Sequence, residues 1–406
     1  MIERFRVWCL VALIIFLPLS AWLVSLTGQN WVGLGRDLLL AIFILLSLPN
    51  WRLPRRPTTT TWLAIAFVLL VLASYFYRQD SIEQWLRGVR YLIEPLLLFI
   101  ILHIFPLKQP HEKLWGSLAI ITIIVAIGAM AETSYPSLFR TTLDSTSRGY
   151  LGQIHLADTL TRLQSTLAGP NALGLFLMIA LLLLPAWQKT IQLFNYEKDT
   201  SRLAAGAGVA CLFALLMTYS RSSYLGFFTG ALTMLIACRD MWKKNIKLLI
   251  VGLTVALVLI GVVFLDKPEE LIRTTSNSMR LEQYQRLWEQ KDEIGFWGRG
   301  AGAAGLVSVD RLDGGPNFYT ENSYLDAYEA VGLLAALAYL GFWIFLAWSL
   351  LRTQNATAIA VGATVLGLAV AGMFINHYTG QAAIWLALLF AGIAPEKENG
   401  TKEGFI

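Results

Sequence analysis

The 406-residue sequence is short of charge: Asp, Glu, Lys and Arg make up 15% of it, hydrophobic residues 56%, and the mean hydropathy is +0.57. So few polar side chains cannot cover a soluble protein of this size, and the composition points to a chain that crosses a membrane many times. Cysteine is equally scarce. Cys9, Cys211 and Cys238 all fall in or beside apolar runs, which excludes a disulfide framework and a cysteine-based metal site. The four histidines, His103, His111, His155 and His377, are scattered without zinc spacing. No internal repeat is evident, and the one low-complexity piece is the polar C-terminal tail.

Apolar runs are abundant. A helix needs about 20 mostly apolar residues to span a bilayer, and runs of that kind give twelve candidates. They cover 7–26, 36–49, 61–77, 88–106, 113–131, 171–187, 203–219, 222–238, 246–265, 324–350, 356–375 and 377–394. The first follows MIERFR and has no clear small-residue cleavage site, so it is expected to be a retained anchor. The expected fold is therefore an all-α membrane protein of about 12 transmembrane helices.

Lysine sets the orientation. With the N-terminus in the cytoplasm, nine of the eleven lysines fall in inner segments, and the even number of spans returns the C-terminus to the same side. Residues 1–265 then carry spans 1–9, with an outer connection at about 132–170. A large outer loop covers 266–323, spans 10–12 cover 324–394, and 395–406 form a cytoplasmic tail. Long loops held by a rigid scaffold are where function concentrates.

Arginine runs against this pattern: 13 of the 21 lie on the outer side or at outer span ends. The planar guanidinium forks onto phosphate and carboxylate and stays charged when partly buried, so this face suits an anionic ligand. Ion pairing and snorkelling are the ordinary alternatives for any one exposed arginine. In QWLRGVRYLIEPLLLF, Arg87, Arg90 and Glu94 share one helical face and can meet one another or a ligand. In TYSRSSYLG, Arg221 stands at the outer boundary with almost no loop around it, and Arg162 in TRLQSTLAGPNALG is similarly placed.

In the large loop, SMRLEQYQRLWEQ reads as an amphipathic helix with Leu281, Tyr284, Leu287 and Trp288 on one side, suited to a bilayer surface. Arg280 at its first turn opposes the helix dipole, an objection that an anionic partner removes. Further on, Asn322 or Ser323 can cap the tenth span, and Ser323 with Asp326 fits a capping box. Glu321 either complements that helix dipole or accepts a proton from a sugar hydroxyl. Between these pieces, GAGAAG at 300–305 fits the letter of a dinucleotide fingerprint. No strand precedes it and it lies outside, so it is expected to be a flexible connector, a hinge between the Arg280 helix and the Glu321 segment.

Taken in order, the arginine-bearing fourth span, RLQSTLAGPNALG, TYSRSSYLG, MRLEQYQRLWEQ, GFWGRGAGAAG and TENSYLDAYEAVGLLA resemble the O-antigen ligase and O-antigen polymerase family of bacterial membrane glycosyltransferases, over nearly the whole chain. The resemblance implies transfer of a glycan from an undecaprenyl-diphosphate carrier to an acceptor sugar or glycolipid, in surface polysaccharide synthesis. It places the reaction at the outer face of the inner membrane, without nucleic acid, nucleotide or metal, and needs no cofactor. By the family pattern Arg221 and Arg280 match arginines that hold the diphosphate. Glu321 would act as base, with Arg87, Arg90, Arg162 and Asn322 binding substrate. The family's ligases carry His-Asn where this chain has Glu321-Asn322. A carboxylate with an ordinary pKa of about 4.3 is a weaker base, which tilts the expectation toward a polymerase. A transporter or flippase for a lipid-linked glycan is the alternative that twelve spans also permit. Such folds usually show two related halves, and these halves differ.

Overall fold

Apolar segments can satisfy their backbone groups inside a bilayer as helices or closed barrels. A computed structural model of the chain describes residues 1–28, 34–49, 56–77, 81–108, 111–135, 162–186, 199–238, 261, 274–305, 308, 319–353, 355–377 and 381–394. Among these residues the regular elements are helical. In chain order they are α1 (Ile2–Thr27), α2 (Leu34–Ser47), α3 (Thr59–Tyr77), α4 (Ile82–Ile104), α5 (Glu112–Ser134), α6 (Pro170–Leu182) and α7 (Asp199–Met217). Then follow α8 (Arg221–Ala237), α9 (Thr274–Glu289), α10 (Lys291–Ile294), α11 (Ser323–Val331), α12 (Leu333–Leu351), α13 (Ala356–Ala371) and α14 (Gln381–Ile393).

Helices lie along eleven of the twelve expected spans, and the ninth, 246–265, falls outside the described residues apart from Gly261. Among the described residues, four helices are long and apolar enough to cross a membrane: α1, α3 over Thr59–Phe76, α5 and α12. Helix α4 has 23 residues, enough length, but Glu83, Arg87, Arg90 and Glu94 interrupt its first half. The apolar helices Pro170–Leu182, Gly206–Met217, Ala356–Ala371 and Gln381–Ile393 are shorter. Together they make this an integral membrane protein.

The tenth span is two helices rather than the single one expected over 324–350. Gly332, at φ 93°, ends α11 and opens α12. A Cβ there would sit 2.2 Å from the carbonyl oxygen of Phe296, so the outer loop presses against the break itself. The Leu333 amide donates to that same Phe296 oxygen at 3.0 Å, taking up a group that the helix would otherwise use.

The core is built around fully buried Trp343, Trp385, Tyr339 and Phe390. Helix α12 packs on α3 and α13, α14 on α4, and α1 on α2 and α5. The tightest pairing joins α8 and α13. A Cβ on Gly226 would lie 2.7 Å from the Gly367 oxygen, and one on Gly230 would lie 2.9 Å from that of Ala363. Small residues let these backbones touch, the usual way for apolar helices to associate where no hydrophobic force separates them from lipid. The helices run antiparallel, since Gly226 also faces Ala371, so the Arg221 end of α8 lies beside the C-terminal end of α13.

Candidate functional site

Arg221 is the first residue of α8 and follows a tight turn, with Tyr219 held at φ 49°. Arg162 fixes that turn from outside. Its Nε donates to the Thr218 carbonyl at 2.8 Å and an Nη to Asn171 Oδ1 at 3.0 Å. Its guanidinium thus ties the segment before α6 to the turn, and it serves the shape of the site. Arg221 itself reaches away from the bundle, donating to Asn277 Oδ1 at 3.1 Å on α9.

Helix α9 turns a polar stripe toward the chain before α11. Asn277, Arg280, Gln283 and Arg286 recur at intervals of three, which places them along one side of the helix. Arg280 meets Glu321 through Nε at 2.6 Å and an Nη at 2.5 Å, both onto Oε2. Gln283 Oε1 accepts from the Glu321 amide at 3.1 Å, and Arg286 donates to the Tyr319 carbonyl at 3.2 Å. Of the apolar side expected to lie on a bilayer surface, Leu281 and Trp288 are exposed and Leu287 is buried against the protein.

The segment opposite is fixed from below. Asn322 caps α11, its Oδ1 accepting from the Tyr324 and Leu325 amides, while its Nδ2 donates to the Met373 carbonyl at 3.0 Å. The Ser323–Asp326 capping box does not form. Asp326 is turned inward, accepting from the Thr320 amide and hydroxyl at 2.9 and 2.6 Å and from Asn376. Burial favours this use, because a carboxylate at 3% exposure needs hydrogen-bond donors more than a helix end needs a second cap. Ser323 exchanges bonds with Gly372, Ile375 and His377, so the bend after α13 holds the Glu321 segment in place.

GAGAAG is no hinge. Ala301, Ala303 and Ala304 are buried, the Ala301 amide donates to Ser74 Oγ at 3.3 Å, and Gln84 Nε2 donates to the Gly302 carbonyl at 2.8 Å. A Cβ on Gly302 would come within 2.3 Å of the Gln84 oxygen, and one on Gly88 within 1.9 Å of the Ala301 oxygen. Gly302 and Gly88 thus let this loop and α4 touch backbone to backbone. Arg299 and Gly300 continue the attachment, donating from their amides to the Glu329 and Ala330 carbonyls at 2.8 Å each.

The face expected to join Arg87, Arg90 and Glu94 is divided too. Arg87 pairs with Glu83 at 3.0 Å, with both side chains exposed. Arg90 and Glu94 instead enter a network with two residues of α2. Arg90 meets Asp37 at 2.6 Å and Glu94 at 3.6 Å, while Arg36 meets Glu94 at 2.8 Å and Asp37 at 3.3 Å. Arg36 also donates to Gln381 and lies 5.3 Å from the Trp385 ring centre. Two arginines against two carboxylates leave little net charge for an anion. The structure thus gathers Arg221, Arg280, Glu321 and Asn322 around α9 and leaves Arg87, Arg90 and Arg162 in other pairings.

Sequence reasoning missed Asn277 and Gln283, whose signal was the polar interval of three through Arg280. It also missed Arg36 and Asp37, which stand together at the start of the second span. Compared with known families, residues 206–340 match the model of the O-antigen ligase family, a stretch that includes Arg221, Arg280 and Glu321. No curated protein matches the chain.

Proposed function

From a chain whose residues 206–340 match the O-antigen ligase family model, we propose a membrane glycosyltransferase that moves a glycan from undecaprenyl diphosphate to an acceptor sugar. The observation that carries this reading is the arrangement of Arg221, Arg280 and Glu321 around one face of α9. Two guanidiniums and a carboxylate meet along this helix, Arg221 through Asn277 and Glu321 through Arg280 and Gln283. The acceptor hydroxyl attacks the anomeric carbon, and the bond from that carbon to the diphosphate oxygen breaks with its electron pair leaving on the diphosphate. Arg221 and Arg280 stabilise that growing charge. Glu321 takes the hydroxyl proton. On the topology expected from the lysine distribution, this group faces the outer side of the membrane, where lipid-linked glycans are presented.

A polymerase, which extends repeat units on the carrier, is favoured over a ligase because a carboxylate replaces the ligase histidine. Deleting the gene and sizing the glycans tests both forms. Loss of a polymerase leaves single repeat units on their acceptor, whereas loss of a ligase strands long chains on the carrier. Unchanged glycans would sink the reading. Complementation with Glu321→Gln or Arg221→Ala should fail to restore product at normal protein levels.

A further inference from the structure

The Arg280–Glu321 contact sets the two proposed roles against each other. Arg280 is to hold a diphosphate, yet both its contacting nitrogens already lie on Glu321 Oε2 at 2.6 and 2.5 Å. Glu321 is to accept a proton, yet its Oε2 already accepts both of those guanidinium hydrogen bonds. At 20% and 19% exposure the two side chains are only partly open to solvent, so water screens the pair incompletely. Backbone movement offers little escape. The Glu321 amide is bonded to Gln283, and the next two residues are tied to Met373 and Gly372. Movement at this place therefore falls to the side-chain contact between Glu321 and Arg280.

We propose, resting on the transferase reading above, that this ion pair is a latch opened by the diphosphate. The diphosphate takes the place of Glu321 on the Arg280 fork, and the carboxylate so released is the one that receives the acceptor proton. A diphosphate can displace the carboxylate because it carries more charge and more acceptor oxygens. It can also reach Arg221, which Asn277 holds against the same helix one turn from Arg280. The base is thus withheld until the donor is seated, which keeps water and stray hydroxyls from being activated over an empty site. When the spent carrier leaves, Glu321 gives its proton to water and the carboxylate closes again on Arg280.

The latch makes Glu321 a competitor of the ligand that its own chemistry serves. Full-length protein in detergent can be titrated with farnesyl diphosphate, as wild type and as Glu321→Gln. The variant should bind about fivefold more tightly, the release of a partly exposed ion pair of about 1 kcal/mol, while failing to restore glycan transfer in cells. Equal or weaker binding by the variant, with wild-type binding intact, overturns the latch and leaves the transferase reading standing. Binding by neither protein overturns the transferase reading and the latch with it. If Glu321→Gln does not fold, Glu321→Asp replaces it. Its shorter carboxylate reaches the fork less well, so a smaller gain is expected and no gain has the same consequence.

Discussion

Among single residues, Asn322 has a positioning role beside the substrate-binding one implied by resemblance. Its Oδ1 accepts from two amides at the start of α11 and its Nδ2 donates to the Met373 carbonyl. These bonds set where Glu321 sits. Asn322→Ala should therefore lower stability by about 1 kcal/mol, the usual cost of losing such a cap, measurable as a drop in melting temperature. Transfer should fall with it. Asn322→Asp, which keeps the capping oxygen, should recover most of the stability. Arg280 and Glu321 were legible in the sequence because a charge at a helix start works against or with the helix dipole and so marks the residue. Neutral amides such as Asn277 and Gln283 carry no such mark, and become meaningful only when the facing partner is known.

Among elements, the outer loop is joined to the bundle at two places. GAGAAG lies on α4, and Phe296 to Gly300 lies on the break between α11 and α12. Gly88→Val should prevent the first contact, since its Cβ would meet the Ala301 backbone. The expected result is faster proteolysis within 296–305 and loss of transfer, with the helices still folded by circular dichroism. The sequence showed glycines at this place but suggested a hinge, because a glycine needed for freedom and one needed for closeness look alike until the neighbour appears. The same limit hid the break at Gly332. The mostly apolar stretch from 324 to 350 fits one helix by composition, and the Phe296 carbonyl gives the interruption a cause.

For the whole molecule, the expected topology puts α9 on the outer side and the start of α5 in the cytoplasm. Trp288 is exposed and Lys113 lies at the other boundary, so each can carry a reporter. In a cysteine-free background, Trp288→Cys should react with a membrane-impermeant maleimide added to spheroplasts. Lys113→Cys should react only after lysis. The reverse labelling would invert the orientation and detach the site from the outer face. Helix content and the long apolar helices were readable because hydrophobic length is a one-dimensional property. The pairing of α2 with α4 through Arg36, Asp37, Arg90 and Glu94 was not, since it joins charges more than fifty residues apart.

The glycine contact between α8 and α13 turns these two helices into the jaws of a caliper. Arg221 begins one jaw, and the bend that holds Asn322 and Ser323 follows directly from the other. The gap between the arginine and the acid is therefore gauged inside the bundle, where Gly226 meets Gly367, well away from either group. A methyl added at Gly226 should open the jaws and change which acceptor hydroxyl lies in reach of Glu321. The altered product would be a glycan of normal composition with a different linkage, readable by methylation analysis.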